Sequence, residues 1–272
     1  MRLVEQSGKR RRPVAAERGR ATESLRRWVQ QARIDAGPGA DGDGAPEALP
    51  PGDQPMAGVR VLDLTCVLAC PTCARTLAEH GADILRVGTH ALPNPGDQIV
   101  NTGHSKRSTV VELATGAGTK KLRALLGGAD VFSQSYRPRS LVARCFSAEE
   151  AAALRPGIIY VSLSAFAHVG PWRERRGFDT LVQAVNGIAD EYALEGTRRL
   201  LSVSVLDYTT GYLAAYRVMV ALTRWAQEGG IYHVRLSLAQ TGRCLTGLGR
   251  VPAPELVQAA PENLPLERLQ AR

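Results

Sequence analysis

Nowhere does an apolar run approach the roughly 20 residues that cross a bilayer as a helix, so the sequence holds no helical membrane span and no membrane partner is expected. The first 35 residues are polar and lack the apolar core of a secretory signal, which predicts a cytoplasmic protein. Cysteines number five, an odd count that does not suit a disulfide framework. Aromatic residues make up 5% of the chain and are not interleaved with basic ones, and no helix-turn-helix, zinc-finger or RNP pattern is present. Nucleic acid is therefore not the expected partner, despite a net charge of +8. A dispersed basic surface suits a small polyanionic ligand instead. No G-x-G-x-x-G follows the first apolar strand, which removes the dinucleotide fingerprint and with it any indication of NAD.

What is present divides the chain in three. Residues 1–55 open with ten Arg and Lys against three Glu in the first 33 positions, then run into a Gly, Pro, Asp and Ala tract that reads as a disordered extension. Residues 56–240 alternate strand and helix patterns, and 241–272 read as a tail. Apolar, β-branched runs occur at 58–64, 82–87, 109–113, 129–133, 158–163, 201–205 and 232–238. Helical patterns fall at 66–81, 120–126, 148–154, 179–192 and 209–226. This alternation predicts an α/β fold: a Rossmann-like, doubly wound, mainly parallel sheet with flanking helices.

In open α/β sheets, ligands collect beyond the carboxyl ends of the strands. Asp207 stands where the run at 201–205 gives way to a helix, and is the leading candidate for chemistry. Two roles compete for it: a helix N-cap, accepting a backbone N–H, or a nucleophile with free oxygens. Cys66, Cys70 and Cys73 have the C-x3-C-x2-C spacing of radical iron–sulfur enzymes. The same spacing also places them on one face of a helix as small buried residues.

Seven blocks in order carry a resemblance to a known family. They are MAGVRVLDLTCVLACP, HGADILRV, TGHSKRSTVVEL, ADVFSQSYRPRSLVAR, SLSAFAHVGPWRERRGFDTLVQAVNGI, VLDYTTGYLAAYRVMVAL and EGGIYHVRLSL. From Met56 to about Gln240 the chain resembles the family III CoA-transferases, which include formyl-CoA transferase, carnitine CoA-transferase and α-methylacyl-CoA racemase. The resemblance implies an enzyme that moves coenzyme A between an acyl-CoA and a small carboxylic acid, with Asp207 as nucleophile and no metal. It implies coenzyme contacts at Lys106, Arg107, Arg137, Arg144 and Arg176, and a thioester-facing turn at Val67 and Leu68. Asp179, in the Gly177-Phe178-Asp179 block, is an accessory acid that orients the site or caps the helix after it. The racemase branch carries a histidine at the position of Phe178, and phenylalanine cannot move a proton, so transfer rather than α-proton exchange is implied.

The chain also departs from its relatives. The small domain that follows the Asp segment is largely missing, and with it the glycine-rich loop over the nucleophile. Gly88-Thr89 replaces the Glu-Pro that usually ends the second strand, and Cys70 replaces a glycine. A second reading follows, a catalytically inactive or partner-dependent CoA-binding homologue. The implied assembly is a homodimer or a pairing with a full-length homologue.

Overall fold

The computed structural model describes residues 54–90 and 96–250. The expected basic extension, apart from its last two residues, lies outside them, as do residues 251–272 of the tail. In chain order the elements are β1 (Arg60–Leu64), α1 (Ala69–Glu79), β2 (Asp83–Gly88), α2 (Gly96–Thr102), β3 (Lys106–Val110), α3 (Gly116–Leu126), β4 (Val131–Gln134), α4 (Pro138–Val142) and α5 (Ala148–Leu154). They continue with β5 (Ile159–Ser164), α6 (Asp179–Val185), α7 (Ile188–Glu191), α8 (Val205–Glu228), β6 (Tyr232–Ser237) and α9 (Leu238–Gly247).

The strands form one six-stranded sheet in the order β3-β2-β1-β4-β5-β6, and every pairing is parallel. That order reverses between β1 and β4, which makes their carboxyl ends the topological switch point where such sheets bind ligands. Alternate residues point to opposite faces of the sheet. Val61, Ile84, Val131, Ile159, Val161 and Val234 meet Cys73, Leu77, Ala214 and Val218 of α1 and α8 on one face. On the other, Leu62, Leu85, Phe132 and Tyr160 meet Leu122, Leu125, Leu126 and Ala151 of α3 and α5. Burial on both faces explains why these strands read as continuous apolar runs.

Two local signals worked as their physics predicts. Ser147 and Glu150 form a reciprocal capping box that starts α5 at the expected residue. Thr115 caps α3 by accepting from the Gly118 N–H.

Four expectations need correction. The run at 201–205 is not a strand: Val203 is exposed, and Val205 already opens α8. The side chain of Gln183 takes the place of a strand partner, accepting from Leu201 N–H at 2.9 Å and donating to the Val203 carbonyl at 3.4 Å. The pattern at 179–192 breaks into α6 and α7 at Gly187, whose φ of 83° is left-handed. β3 begins at Lys106 rather than 109, and α9 runs into the stretch read from sequence as a tail.

Candidate active site

The N-terminus of α8 is the centre of the site. Its cap comes from outside the helix: Asp179 Oδ2 accepts the backbone N–H groups of Leu206 and Asp207, at 2.8 and 2.9 Å. The other Asp179 oxygen accepts from the Gln183 amide. Ser204, the residue before the helix, makes no side-chain cap. The capping role open to Asp207 is thus filled by Asp179, which does not cap its own helix, the second of the two roles expected of it. No hydrogen bond to either Asp207 carboxylate oxygen is present among the described residues. Asp207 is only 7% exposed. Burial, and then the charge of Asp179, push its carboxyl up to about 7.

The packing of α8 on α1 fixes what Asp207 faces. A Cβ on Gly211 would fall 2.5 Å from the Ala69 carbonyl oxygen and 2.8 Å from Thr72 Cβ, so only glycine allows this approach. Asp207 lies one turn before Gly211 on the same face of α8. Its neighbour Leu206 packs in one cluster with Ala69 and Cys70, which sets the start of α8 against the start of α1, the helix that follows the turn at 65–68. Val67 in that turn has φ 69°, a strained conformation for a β-branched residue. Leu68, the N-cap of α1, makes no side-chain cap bond, and an uncapped helix start presents backbone N–H groups.

Two of the expected coenzyme contacts are held in ion pairs. The Lys106 ammonium is 1% exposed and bonds Asp63 at 3.1 Å and the Pro71 carbonyl at 2.8 Å, which corrects its reading as a phosphate contact. Arg107 pairs with Asp83 at the sheet surface. Arg144 donates to the Ser140 carbonyl at 2.9 Å. Arg137 and Arg176 are exposed, as is Phe178. A small cleft at the carboxyl ends of β1 and β2 is lined by Thr65, Cys66, Arg86, Gly88, Thr89 and Tyr136.

Cys70 and Cys73 take the buried helical reading, whereas Cys66 lies in the turn before α1 and is only half-buried, which corrects the expectation of three cysteines on one helix face. Cys70 and Cys73 are enclosed in α1, and burial pushes both thiols up, that of Cys73 to about 12. Among the described residues no three His, Cys, Asp or Glu side chains are grouped to hold a metal ion.

Sequence reasoning missed Gln183 and Asp63. The signal for Asp63 was a charged residue inside the apolar run VRVLDL, which a buried strand tolerates only with a partner. It also missed a polar chain on the far strands. Ser162 Oγ lies 2.9 Å from His168 Nε2 and 2.8 Å from His233 Nε2, while Arg235 Nε donates to His233 Nδ1 at 3.2 Å. An arginine only donates, so His233 Nδ1 accepts and its Nε2–H points at Ser162. The serine hydroxyl then donates to His168.

A doubly wound parallel sheet, with a carboxylate buried at the start of a helix that packs on the one after β1, defines an α/β protein of the ligand-binding class. The chain belongs to CoA-transferase family III, whose family model matches residues 56–249. It is 32% identical over 192 residues to an acetyl-coenzyme A transferase, nodX, of Hypoxylon pulicicidum, covering 68% of this chain and 32% of that protein. It is 30% identical over 201 residues to the succinyl-CoA–L-malate CoA-transferase beta subunit of Chloroflexus aurantiacus, covering 69% of this chain and 50% of that one. Among solved structures, a CAIB/BAIF family protein from Brucella suis superposes with a TM-score of 0.65 at 25% identity, over 74% of this chain and 60% of that one. The chain spans about half the length, or less, of the curated relatives it matches. No helix among the described residues is long and apolar enough to cross a membrane.

Proposed function

We propose that this chain transfers coenzyme A between an acyl-CoA and a carboxylic acid, with Asp207 as the covalent nucleophile. A carboxylate oxygen of Asp207 attacks the thioester carbonyl, the C–S bond breaks, and an aspartyl anhydride and CoA thiolate result. The thiolate attacks the aspartyl carbonyl of the anhydride, releasing the first acid and leaving an aspartyl-CoA thioester. The acceptor carboxylate attacks that thioester, giving a second anhydride and free thiolate. Attack of the thiolate on the acyl carbonyl then forms the new acyl-CoA and frees Asp207. Every bond broken is matched by one of similar energy, so no ATP is consumed.

One observation carries the reading: the Asp207 oxygens are spared from capping because Asp179 does that work. Burial and Asp179 push the Asp207 carboxyl up to about 7, so the ionised nucleophile forms from about pH 7 upward, and the uncapped start of α1 supplies N–H donors for a tetrahedral oxyanion. Of the five expected cations, exposed Arg137 and Arg176, together with Arg144, are outside ion pairs and are placed here on the coenzyme phosphates. The test is incubation with a panel of acyl-CoAs followed by mass spectrometry. A hydroxylamine-sensitive adduct on the peptide holding Asp207 is expected; its absence with every donor, while Asp207→Asn behaves as wild type, would refute the proposal.

A second reading is a CoA-binding subunit that works only with another chain. It is favoured by the large apolar side chains exposed near the start of α8, among them Phe178, Leu181, Val203 and Tyr212. The Chloroflexus relative is itself a beta subunit. Tight CoA binding without exchange, with activity appearing on addition of a full-length homologue, would select this reading.

A further inference from the structure

We infer that Lys106 is a positioning residue for the transfer reaction: its ammonium pins both ends of the turn at 65–68 that leads into α1, the helix packed on the start of α8. The inference rests on the reading of Asp207 as the nucleophile.

The geometry is that of a clamp. Before the turn, Asp63 in β1 holds Lys106 Nζ on Oδ2 at 3.1 Å, and accepts the Thr65 hydroxyl on Oδ1. After the turn, the carbonyl of Pro71 in the first turn of α1 accepts from the same ammonium at 2.8 Å. A single cation, delivered from the start of β3, thus ties the end of β1 to the beginning of α1. Between the two ties sits Val67 at φ 69°. A β-branched residue keeps that conformation only where its surroundings over-determine it.

Burial argues in the same direction. The side chains of Lys106 and Asp63 are 1% and 0% exposed. A buried ion pair stabilises a fold no better than apolar side chains of equal volume. Geometry is what this pair supplies that an apolar pair would not: three bonds in fixed directions, converging on the ends of one strained turn. The start of α1, which follows the turn, and the first two turns of α8, which carry Asp207, are held together by the close approach of Gly211 to Ala69. A turn that relaxed would move the backbone N–H groups of α1 away from the reacting carbonyl, and misplacement by about 1 Å costs on the order of a hundredfold in rate.

The experiment compares wild type with the double variant Asp63→Asn/Lys106→Gln, which removes both charges together and leaves a side chain too short to reach both former partners. Thr65→Val is the milder companion, removing one bond and leaving the ion pair. Melting temperature, kcat and KM for acyl-CoA exchange, and the alkylation rate of Cys66 inside the turn are measured, the last by peptide-resolved mass spectrometry. In the double variant kcat falls by about tenfold or more with KM within about threefold, since only transition-state geometry is lost. Cys66 alkylation rises by about tenfold as the turn opens. Thr65→Val shifts both readouts in the same direction by about threefold, and decides the matter if the double variant does not fold. A folded variant with unchanged kcat, or with unchanged Cys66 reactivity, overturns the inference. Absence of exchange in the wild type with every donor refutes the transferase reading instead, and the Cys66 comparison still reports whether Lys106 holds the turn.

Discussion

Asp179 caps the start of α8, and among the described residues no donor reaches the Asp207 carboxylate. Because Asp179 satisfies the N–H groups of Leu206 and Asp207, the Asp207 carboxylate meets a buried surround and a like charge instead of donors. Its proton affinity rises from 3.8 unfolded to about 7 folded. Between those values the folded state binds more protons, so Asp207 lowers stability as pH rises through the interval. Asp207→Asn is therefore expected to be more stable than wild type by about 2–4 kcal/mol at pH 8, the two converging near pH 4, as read by urea titration at several pH values. The proposed nucleophile must be ionised, so kcat/KM should climb through pH 7 on an ascending limb. Asp179→Asn removes the like charge while keeping an acceptor, and should move that limb to lower pH; an unmoved limb would show that Asp207 does not set it.

At the level of elements, the junction between α8 and its surroundings decides the site. The alternating run at 201–205 has the pattern of a strand, yet Gln183 from α6 takes the backbone bonds that a neighbouring strand would have taken. Local periodicity cannot reveal a side chain that arrives from elsewhere in the chain and competes for those groups. The helix itself was legible, though it starts four residues before the pattern at 209–226, and α5 and five of the six strands were legible to within two residues at either end. Gly211→Ala places a methyl against the Ala69 carbonyl and should cost about 1–3 kcal/mol in unfolding measurements, with a loss of activity larger than stability explains. On the far side of the sheet, His168 and His233 share Ser162 in their neutral forms. Burial lowers both, His233 to about 4, with Arg235 adding to the effect. The unfolded chain therefore takes up protons first as pH falls below 6.5, and stability drops toward pH 4. His168→Gln/His233→Gln should flatten that acid limb in thermal melts; an unchanged acid limb would mean that other groups govern it.

Over the whole molecule, the strand order places the ends of β1 and β4 together at the switch point, and α8 packs on α1, the helix that follows β1. A coenzyme thioester bound there should raise the melting temperature in proportion to its saturation, by about 2.7 kcal/mol of stability at a hundredfold excess over Kd. Acetyl-CoA, succinyl-CoA and free CoA compared in one thermal-shift series would show how much of that comes from the coenzyme and how much from the acyl group. From the order of its residues alone the chain determined its alternation of strand and helix, its apolar faces, and the carboxylate to suspect, because periodicity and composition act over a few residues. Tertiary structure alone decided that Asp179, not Asp207, caps α8 and that Lys106 is buried on Asp63 and the Pro71 carbonyl rather than a surface cation. It alone decided, too, that two histidines close on one serine. Each of these depends on groups 6 to 71 positions apart sharing bonds in space, and no short-range pattern encodes which partner a buried charge will find.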